Sequence, residues 1–157
     1  MMYYRRMGGA GSDQQGSNRG MHVSLQPELN TALTALADAV EEFAARESLG
    51  GALPINLNLV LDELVTNSVS YALTEVEKPM LELRLRRDGD LVVAEVEDNG
   101  AAFDPFKDAP KPDTKKGLDE RPIGGLGVFL VMQLTETAHY ERAGDVNRII
   151  LHMKMET

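Results

Sequence analysis

The chain has 157 residues, no cysteine and a formal net charge of −9, from 25 acidic and 16 basic residues. This length predicts a single domain, and the lack of cysteine excludes disulfides, thiolate metal sites and a cysteine nucleophile. The acidic balance argues against nucleic-acid binding, because phosphate backbones attract basic surfaces. Apolar runs stay well below the roughly 20 residues of a membrane span, and residues 1–20 lack the apolar stretch of a secretory signal. We therefore expect a soluble, cytoplasmic protein that binds neither nucleic acid nor a membrane.

The first half of the chain predicts a tail, an edge strand and two helices. Residues 1–20 are rich in glycine, serine, glutamine and asparagine, which predicts a disordered tail. Residues 22–25 (HVSL) predict a short edge strand. Residues 27–46 and 54–73 each begin with a proline, which suits a first helical turn, and continue with apolar residues at helical spacing. The apolar stripe of the second helix comprises Leu57, Val60, Leu61, Leu64, Val65 and Ser68.

A hairpin and a long connection follow. Residues 81–87 and 91–98 alternate apolar and polar side chains, and an Asp-Gly turn joins them. Residues 104–123 contain four prolines and mixed charges without any period. A connection of that length inside a small domain is typical of a functional loop such as a lid.

The last part of the chain predicts a third helix and a second hairpin. A glycine-rich segment leads into an apolar helix over residues 128–136, and strands over 137–142 and 148–155 follow. The order of elements predicts a two-layer α/β sandwich, in which three helices cover one face of a mixed, largely antiparallel sheet. We expect one domain over residues 21–157. No helix shows a second apolar face, so the sequence neither indicates nor excludes a homodimer.

Two polar side chains, Glu63 and Asn67, lie four residues apart and therefore on one side of the second helix. A carboxylate can act as a general base there, and an amide oxygen is a ligand suited to Mg²⁺. The alternative is an exposed polar patch beside the core stripe, because such pairs are common.

Two further motifs contain polar groups or glycines at the ends of elements. Asp98 ends a row of buried strand residues, where it can accept a hydrogen bond from an exocyclic amine, while Gly100 allows close approach of a flat ligand and Phe103 can wall the site. The alternative for this segment is an ordinary turn. Residues 124–127 (GGLG) open a helix, and their backbone N–H groups can bind an anion such as phosphate. The alternative there is a flexible loop-to-helix junction.

In this order the three motifs form a specific combination, and the sequence resembles the GHKL ATPase superfamily. The segment ELVTNSVSYA (63–72) looks like its N box, and VEDNGAAFDP (96–105) looks like the box that binds adenine. The segment RPIGGLGVFLVMQLTE (121–136) looks like its glycine box. The resemblance covers residues 21–155 and is strongest to the anti-sigma-factor serine kinases, which implies the Bergerat ATP-binding fold.

The resemblance also implies roles for individual residues. Glu63 would be the general base, and Asn67 would hold Mg²⁺ against the phosphates of ATP. Asp98 would bind adenine N6, with Gly100 beside the ring. The full set of implied nucleotide-binding residues is Asn67, Asp98, Gly100, Phe103, Arg121, Gly124, Gly125, Leu126 and Gly127. Arg121, with Lys115 and Lys116, can screen phosphate charge; the alternative is that these are solvated loop charges.

The implied partners are a STAS-type anti-anti-sigma protein, phosphorylated on serine, and a sigma factor that the kinase sequesters. Ala101 and Ala102 stand where many relatives have a second glycine. This departure favours the alternative of an ATP-gated binding module without kinase activity. A histidine-kinase catalytic domain is a weaker alternative, because His22, the histidine upstream of the motifs, precedes the first helix.

Overall fold

The computed structural model describes residues 20–109 and 125–156. The predicted tail up to residue 19 and most of the predicted lid therefore lie outside the described residues. So do four predicted phosphate-side residues, namely Lys115, Lys116, Arg121 and Gly124.

Five strands form one sheet. They are β1 (Met21–Ser24), β2 (Leu81–Asp88), β3 (Leu91–Asp98), β4 (Thr137–Ala143) and β5 (Val146–Lys154), in the spatial order β1-β2-β3-β5-β4. The sequence predicts a mixed, largely antiparallel sheet, and every described strand pair is antiparallel. In this register Asp98 at the end of β3 lies between Leu81 of β2 and Asn147 of β5. Asp98 therefore lies at the end of a central strand of the sheet, and the candidate site includes this strand end.

Four α-helices accompany the sheet in the described residues: α1 (Leu29–Arg46), α2 (Leu53–Asn67), α3 (Pro105–Asp108) and α4 (Gly125–Leu134). A π-helical segment, Ser68–Ala72, continues α2. The predicted start of α1 at Pro27 is two residues early, because the carboxylate of Glu28 caps the helix by accepting from the backbone N–H groups of Asn30 and Thr31. Pro27 precedes that cap.

Other strand and helix ends differ from the prediction by one or two residues, and two differences concern the motifs or the long connection. The third predicted helix begins at Gly125 instead of residue 128, so the last part of the glycine motif belongs to the first turn of α4. The predicted structureless connection begins with α3, which Asp104 caps by accepting from the backbone N–H of Phe106. A four-residue helix is too short to produce a visible apolar period.

The core lies between the sheet and α1, α2 and α4, which confirms the two-layer sandwich. Strands β2 and β3 turn alternate residues inward, and these pack against the apolar stripes of the helices. The largest fully buried side chains include Leu36, Phe43, Leu57, Leu61, Leu64, Leu83, Leu85 and Leu151. Burial of each such side chain contributes about 1.5–3 kcal/mol. This core fixes α2 against β3 and so fixes the polar residues that both elements carry.

The outer face of α2 differs from the prediction. Ile55 is 71% and Leu59 44% exposed. They line a groove of about 410 Å³ between α1 and α2 together with Ala37 and Ala44. The expected absence of a second apolar face is therefore wrong for α2, because Ile55 and Leu59 lie outside the stripe that the core buries. Within residues 20–109 and 125–156, none of the helices has both the length and the apolarity needed to cross a bilayer.

Candidate functional site

The C-terminal end of α2 brings two predicted residues together. The Asn67 side-chain N–H donates to the Glu63 carboxylate over 3.3 Å. Glu63 is half-buried, and this burial raises the pKa of its carboxyl above the ordinary value, while the hydrogen bond from Asn67 opposes the rise. Asn67 is buried, and in the described part of the chain its amide oxygen accepts no hydrogen bond. The pair therefore places a partly desolvated carboxylate next to an amide oxygen that has no partner among the described residues.

The π-helical segment after α2 changes the direction of the side chains that follow. The backbone N–H of Leu73 donates to the carbonyl of Ser68 over 2.9 Å, five residues back. Such π-helical turns are frequent at functional sites. Ser68, the first residue of this segment, donates its hydroxyl to the carboxylate of Asp98 in β3. The turn thus connects the end of α2 with the end of β3.

Asp98 is buried at 3% exposure and has three hydrogen-bond donors around it. Its Oδ1 accepts from the backbone N–H of Gly100 and from Nδ2 of Asn147, each over 2.9 Å. Its Oδ2 accepts from the Ser68 hydroxyl over 2.8 Å. A buried carboxylate needs such partners to stay charged, and Oδ2 retains a lone pair for one more donor.

An aromatic pair forms a wall next to Asp98. The rings of Phe103 and Tyr71 stack with centroids 5.1 Å apart and an interplanar angle of 15°. Phe103 lies in the β3–α3 loop (residues 99–104), whereas Tyr71 belongs to the π-helical segment and is 44% exposed. Phe103 thus forms one half of a ring pair whose other ring is exposed, and its role as the wall of a ligand site stays a prediction.

Gly100 packs against the protein itself. A Cβ at this position would lie 2.3 Å from the carbonyl oxygen of Ala72, which ends the π-helical segment. The neighbouring backbone N–H of Ala101 donates to the same oxygen over 2.9 Å. Glycine is therefore required here by the close approach of two backbone segments, and contact between Gly100 and a base stays a prediction.

Replacement of Gly100 by alanine is expected to lower the free energy of unfolding by about 1–3 kcal/mol, because the new methyl group overlaps backbone that cannot move aside easily. Denaturant unfolding monitored by circular dichroism measures this change. Gly50→Ala is the matched control, because a Cβ at Gly50 meets nothing within 4 Å. Equal effects of the two substitutions would contradict the packing explanation.

Helix α4 contacts the same site from the other side. A Cβ at Gly127 would lie 2.0 Å from the carboxyl carbon of Glu63, so the bare backbone of α4 packs directly on this side chain. Gly125 and Leu126 lie in the first turn of the same helix. The structure therefore brings Gly127, Glu63, Asn67 and Asp98 into one continuous row. Roles for these residues in binding nucleotide stay predictions.

Sequence analysis missed four residues of this row. Asn147 and Ser68 are buried and bond Asp98 directly, whereas Tyr71 and Arg142 lie at its margin. Arg142 donates to the carbonyl of Gly100 over 2.7 Å. A signal for Asn147 is present in the sequence, because it occupies the inward position of the alternation that Ile149, Leu151 and Met153 continue. A polar residue at an inward position indicates a specific polar partner in the core.

Comparison with known proteins agrees with this architecture. A family described as "Histidine kinase-like ATPase domain" matches residues 26–153. The chain belongs to this family. The resemblance to GHKL ATPases is thereby confirmed, and the described residues of all three motifs lie within the part of the chain that the family model matches.

The histidine kinase-like ATPase domain has relatives of two kinds. The "Serine/threonine-protein kinase BtrW" of Bordetella bronchiseptica is 32% identical over 127 residues, which cover 79% of this chain and 89% of that protein. The structure of the RsbU and RsbW domains of Rv1364c from Mycobacterium tuberculosis matches with a TM-score of 0.61 at 18% identity, over 87% of this chain and 32% of that one. The histidine kinase domain of Erythrobacter litoralis EL346 matches with a TM-score of 0.52 at 19% identity, over 81% and 61%. The chain therefore spans about a third of the mycobacterial protein, and the two structures show the shared fold.

Proposed function

We propose that the chain is an ATP-dependent protein serine/threonine kinase of the bacterial cytoplasm that is also an anti-sigma factor. Its substrate would be a serine of a STAS-type anti-anti-sigma protein. The observation that carries the proposal is the contact of Gly127 with Glu63, because it unites the glycine motif with the predicted base. The 32% identity with the serine/threonine-protein kinase BtrW supports the reaction type.

The surroundings of Asp98 suit an adenine base. Two of its three donors are committed to Oδ1, so the remaining acceptor capacity on Oδ2 fits the exocyclic N6 amine. The exposed ring of Tyr71, stacked on Phe103, adds an apolar surface for the flat base. These features support binding of an adenine nucleotide between the end of β3 and the π-helical segment.

The surroundings of Asn67 suit Mg²⁺. Its amide oxygen is open within the described residues, and an oxygen ligand is the type that Mg²⁺ prefers. In the ranges 20–109 and 125–156, no three His, Asp or Glu side chains cluster as a metal site. Asn67 would therefore be the protein ligand of an ion whose other ligands are phosphate oxygens and water. When bound, Mg²⁺ would neutralise charge that develops on the phosphates.

Glu63 would accept the proton of the attacking serine hydroxyl. The serine oxygen bonds to the γ-phosphorus, the bond from that phosphorus to the ADP oxygen breaks, and the serine proton passes to the Glu63 carboxylate. The pKa of Glu63, raised by burial, makes its carboxylate a stronger base than an exposed glutamate. The Asn67 hydrogen bond holds the carboxylate in place during the transfer.

Transfer of label from γ-³²P-ATP tests the proposal. The full chain is incubated with Mg-ATP and, in turn, with each STAS-type protein of the same organism; the expected result is phosphoserine on one of them. Calorimetry with Mg-ATP runs in parallel. Binding without any transfer would replace the kinase by the ATP-gated binding module, and absence of ATP binding would end both proposals. Co-elution with a sigma factor of the same organism tests the anti-sigma role.

As the pH is lowered, the transfer rate is expected to begin to decrease at a higher pH than it would with an ordinary glutamate as the base. Glu63 must be deprotonated to accept the serine proton, and its pKa is raised by burial. The acid limb of kcat/KM should therefore lie above the pKa of about 4.3 of an unperturbed glutamate. Transfer rates between pH 4.5 and 8, with circular dichroism at each pH to confirm folding, measure the limb. A rate that stays constant to pH 4.5 in folded protein would contradict the role of Glu63.

A further inference from the structure

Asn147, near the start of β5, lies beneath the β3–α3 loop and is 1% exposed. Its amide makes five hydrogen bonds. Oδ1 accepts from the Tyr140 hydroxyl over 2.6 Å, from the Arg142 guanidinium over 3.1 Å and from the backbone N–H of Phe103 over 3.3 Å. Nδ2 donates to Asp98 Oδ1 over 2.9 Å and to the Ala101 carbonyl over 2.8 Å.

These partners determine which way the amide of Asn147 points. A guanidinium and a backbone N–H can only donate, so Arg142 and Phe103 require the amide oxygen on their side. A backbone carbonyl can only accept, so Ala101 requires the amide nitrogen on its side. The nitrogen of Asn147 must therefore face Asp98.

The orientation of Asn147 in turn determines the state of Asp98. Oδ1 of Asp98 faces two obligatory donors, the Asn147 amide and the backbone N–H of Gly100, so no proton can reside on this oxygen. Oδ2 receives the Ser68 hydroxyl. Oδ1 of Asp98 is thereby fixed as an acceptor, and the second lone pair of Oδ2 lies open to a donor that a ligand brings.

We propose that Asn147 is a positioning residue that makes the site selective for 6-amino purine nucleotides over 6-oxo ones. The proposal rests on the proposed nucleotide-binding function. An acceptor at Asp98 attracts the N6 amine of adenine and repels the O6 carbonyl of hypoxanthine or guanine. Asn147 contacts no base in this arrangement; it acts through the carboxylate that it holds and through the loop that carries Phe103.

The test measures Kd for Mg-ATP and for Mg-ITP in the full-length wild-type chain and in its full-length variant Asn147→Asp. This variant keeps the shape and the oxygen that faces Arg142, but it places a second carboxylate against Asp98. Two carboxylates at that distance share a proton, so the acceptor loses charge and can become a donor. The ratio of Kd(ITP) to Kd(ATP) should fall about tenfold, because a charge-assisted hydrogen bond becomes a neutral one.

The chain offers a matched control. Asn58 donates from Nδ2 to Asp62 Oδ2 over 3.1 Å on α2, which is the same amide-to-carboxylate contact outside the site. Asn58→Asp should leave the ratio of Kd(ITP) to Kd(ATP) unchanged.

Arg142→Met is a second test variant, at an exposed position. It removes one of the donors that orient the Asn147 amide, and the ratio of Kd(ITP) to Kd(ATP) should fall about twofold to threefold.

The outcomes separate the two proposals. If wild type binds ATP in preference to ITP, and folded Asn147→Asp and Arg142→Met keep the wild-type ratio, the positioning role is overturned while the nucleotide site stands. If Asn147→Asp fails to fold, the ratio for Arg142→Met decides in the same way. If wild type binds neither nucleotide, the proposed function fails and this inference fails with it.

Discussion

Replacement of Glu63 by glutamine is expected to lower kcat for phosphoryl transfer by about 10²–10⁴-fold, the usual contribution of a positioned general base. Glutamine keeps the length of the side chain and can still contact Asn67 and the backbone of Gly127, but it cannot accept the serine proton. The Kd for Mg-ATP should stay within about threefold, because the substitution removes an interaction made in the transition state. Rapid-quench transfer kinetics and calorimetry on the same preparation measure both quantities.

Asp62→Asn is the matched control for this substitution. Asp62 is the preceding residue of α2, and burial raises the pKa of its carboxyl as it does for Glu63. Its hydrogen bond, however, joins it to Asn58 on the same helix. The control should transfer phosphate at the wild-type rate. Equal decreases of kcat in the two variants would show that the effect comes from the loss of a negative charge on α2 and not from the loss of a general base.

Replacement of Asp98 by asparagine is expected to weaken Mg-ATP binding by about 100-fold, because one partner of a buried charged network is lost. The new amide has one oxygen instead of two. If that oxygen accepts from Gly100 and Asn147, an uncharged N–H₂ group takes the place of Oδ2, which is the acceptor for Ser68 and for the amine of the base. Unfolding free energy should fall by about 1–3 kcal/mol for the same reason. Calorimetry gives the affinity, and denaturant unfolding gives the stability.

The exposed Asp38 of α1 supplies the control for the change in charge. Asp38→Asn should leave both the affinity and the stability close to wild type, because exposed substitutions usually change stability by less than about 0.5 kcal/mol. Full ATP affinity in folded Asp98→Asn would contradict the assignment of Asp98 to the base, whatever the effect on stability.

Local sequence patterns could predict most of the fold and part of the site. The apolar periods of α1, α2, β2 and β3 depend on residues near each other in the chain, and these elements are found within a few residues of their predicted positions. The resemblance to the GHKL superfamily, which rests on the three motifs, implies that Glu63, Asp98 and Gly127 surround one nucleotide; the structure brings Gly127 against Glu63. The cap of α1 at Glu28 was missed because glutamate is an unusual N-cap residue.

The remaining features depend on contacts between distant parts of the chain. The spacing of residues 68–72 predicts a helix but does not distinguish the π form from the α form. The need for glycine at Gly100 comes from Ala72, 28 positions earlier, which no local pattern contains. The orientation of the Asn147 amide follows from Arg142 of β4 and from Phe103 and Ala101 on the β3–α3 loop, which is more than 40 residues away. Tertiary packing supplies this information, and the sequence contains only the buried polar position that requires it.

The hydrogen bonds of Asp98 also connect parts of the chain that are far apart in sequence. Its partners Ser68 and Asn147 are separated from it by 30 and 49 positions, and one of them belongs to the final hairpin. Contacts between residues so far apart form late, after the entropy of closing long loops has been overcome. The hydrogen-bond network of Asp98 is therefore complete only in the complete sheet, and a nascent chain that lacks β5 lacks the bond from Asn147 to Asp98. Occupancy by nucleotide would consequently report global folding of the protein and would stabilise the whole of it at once.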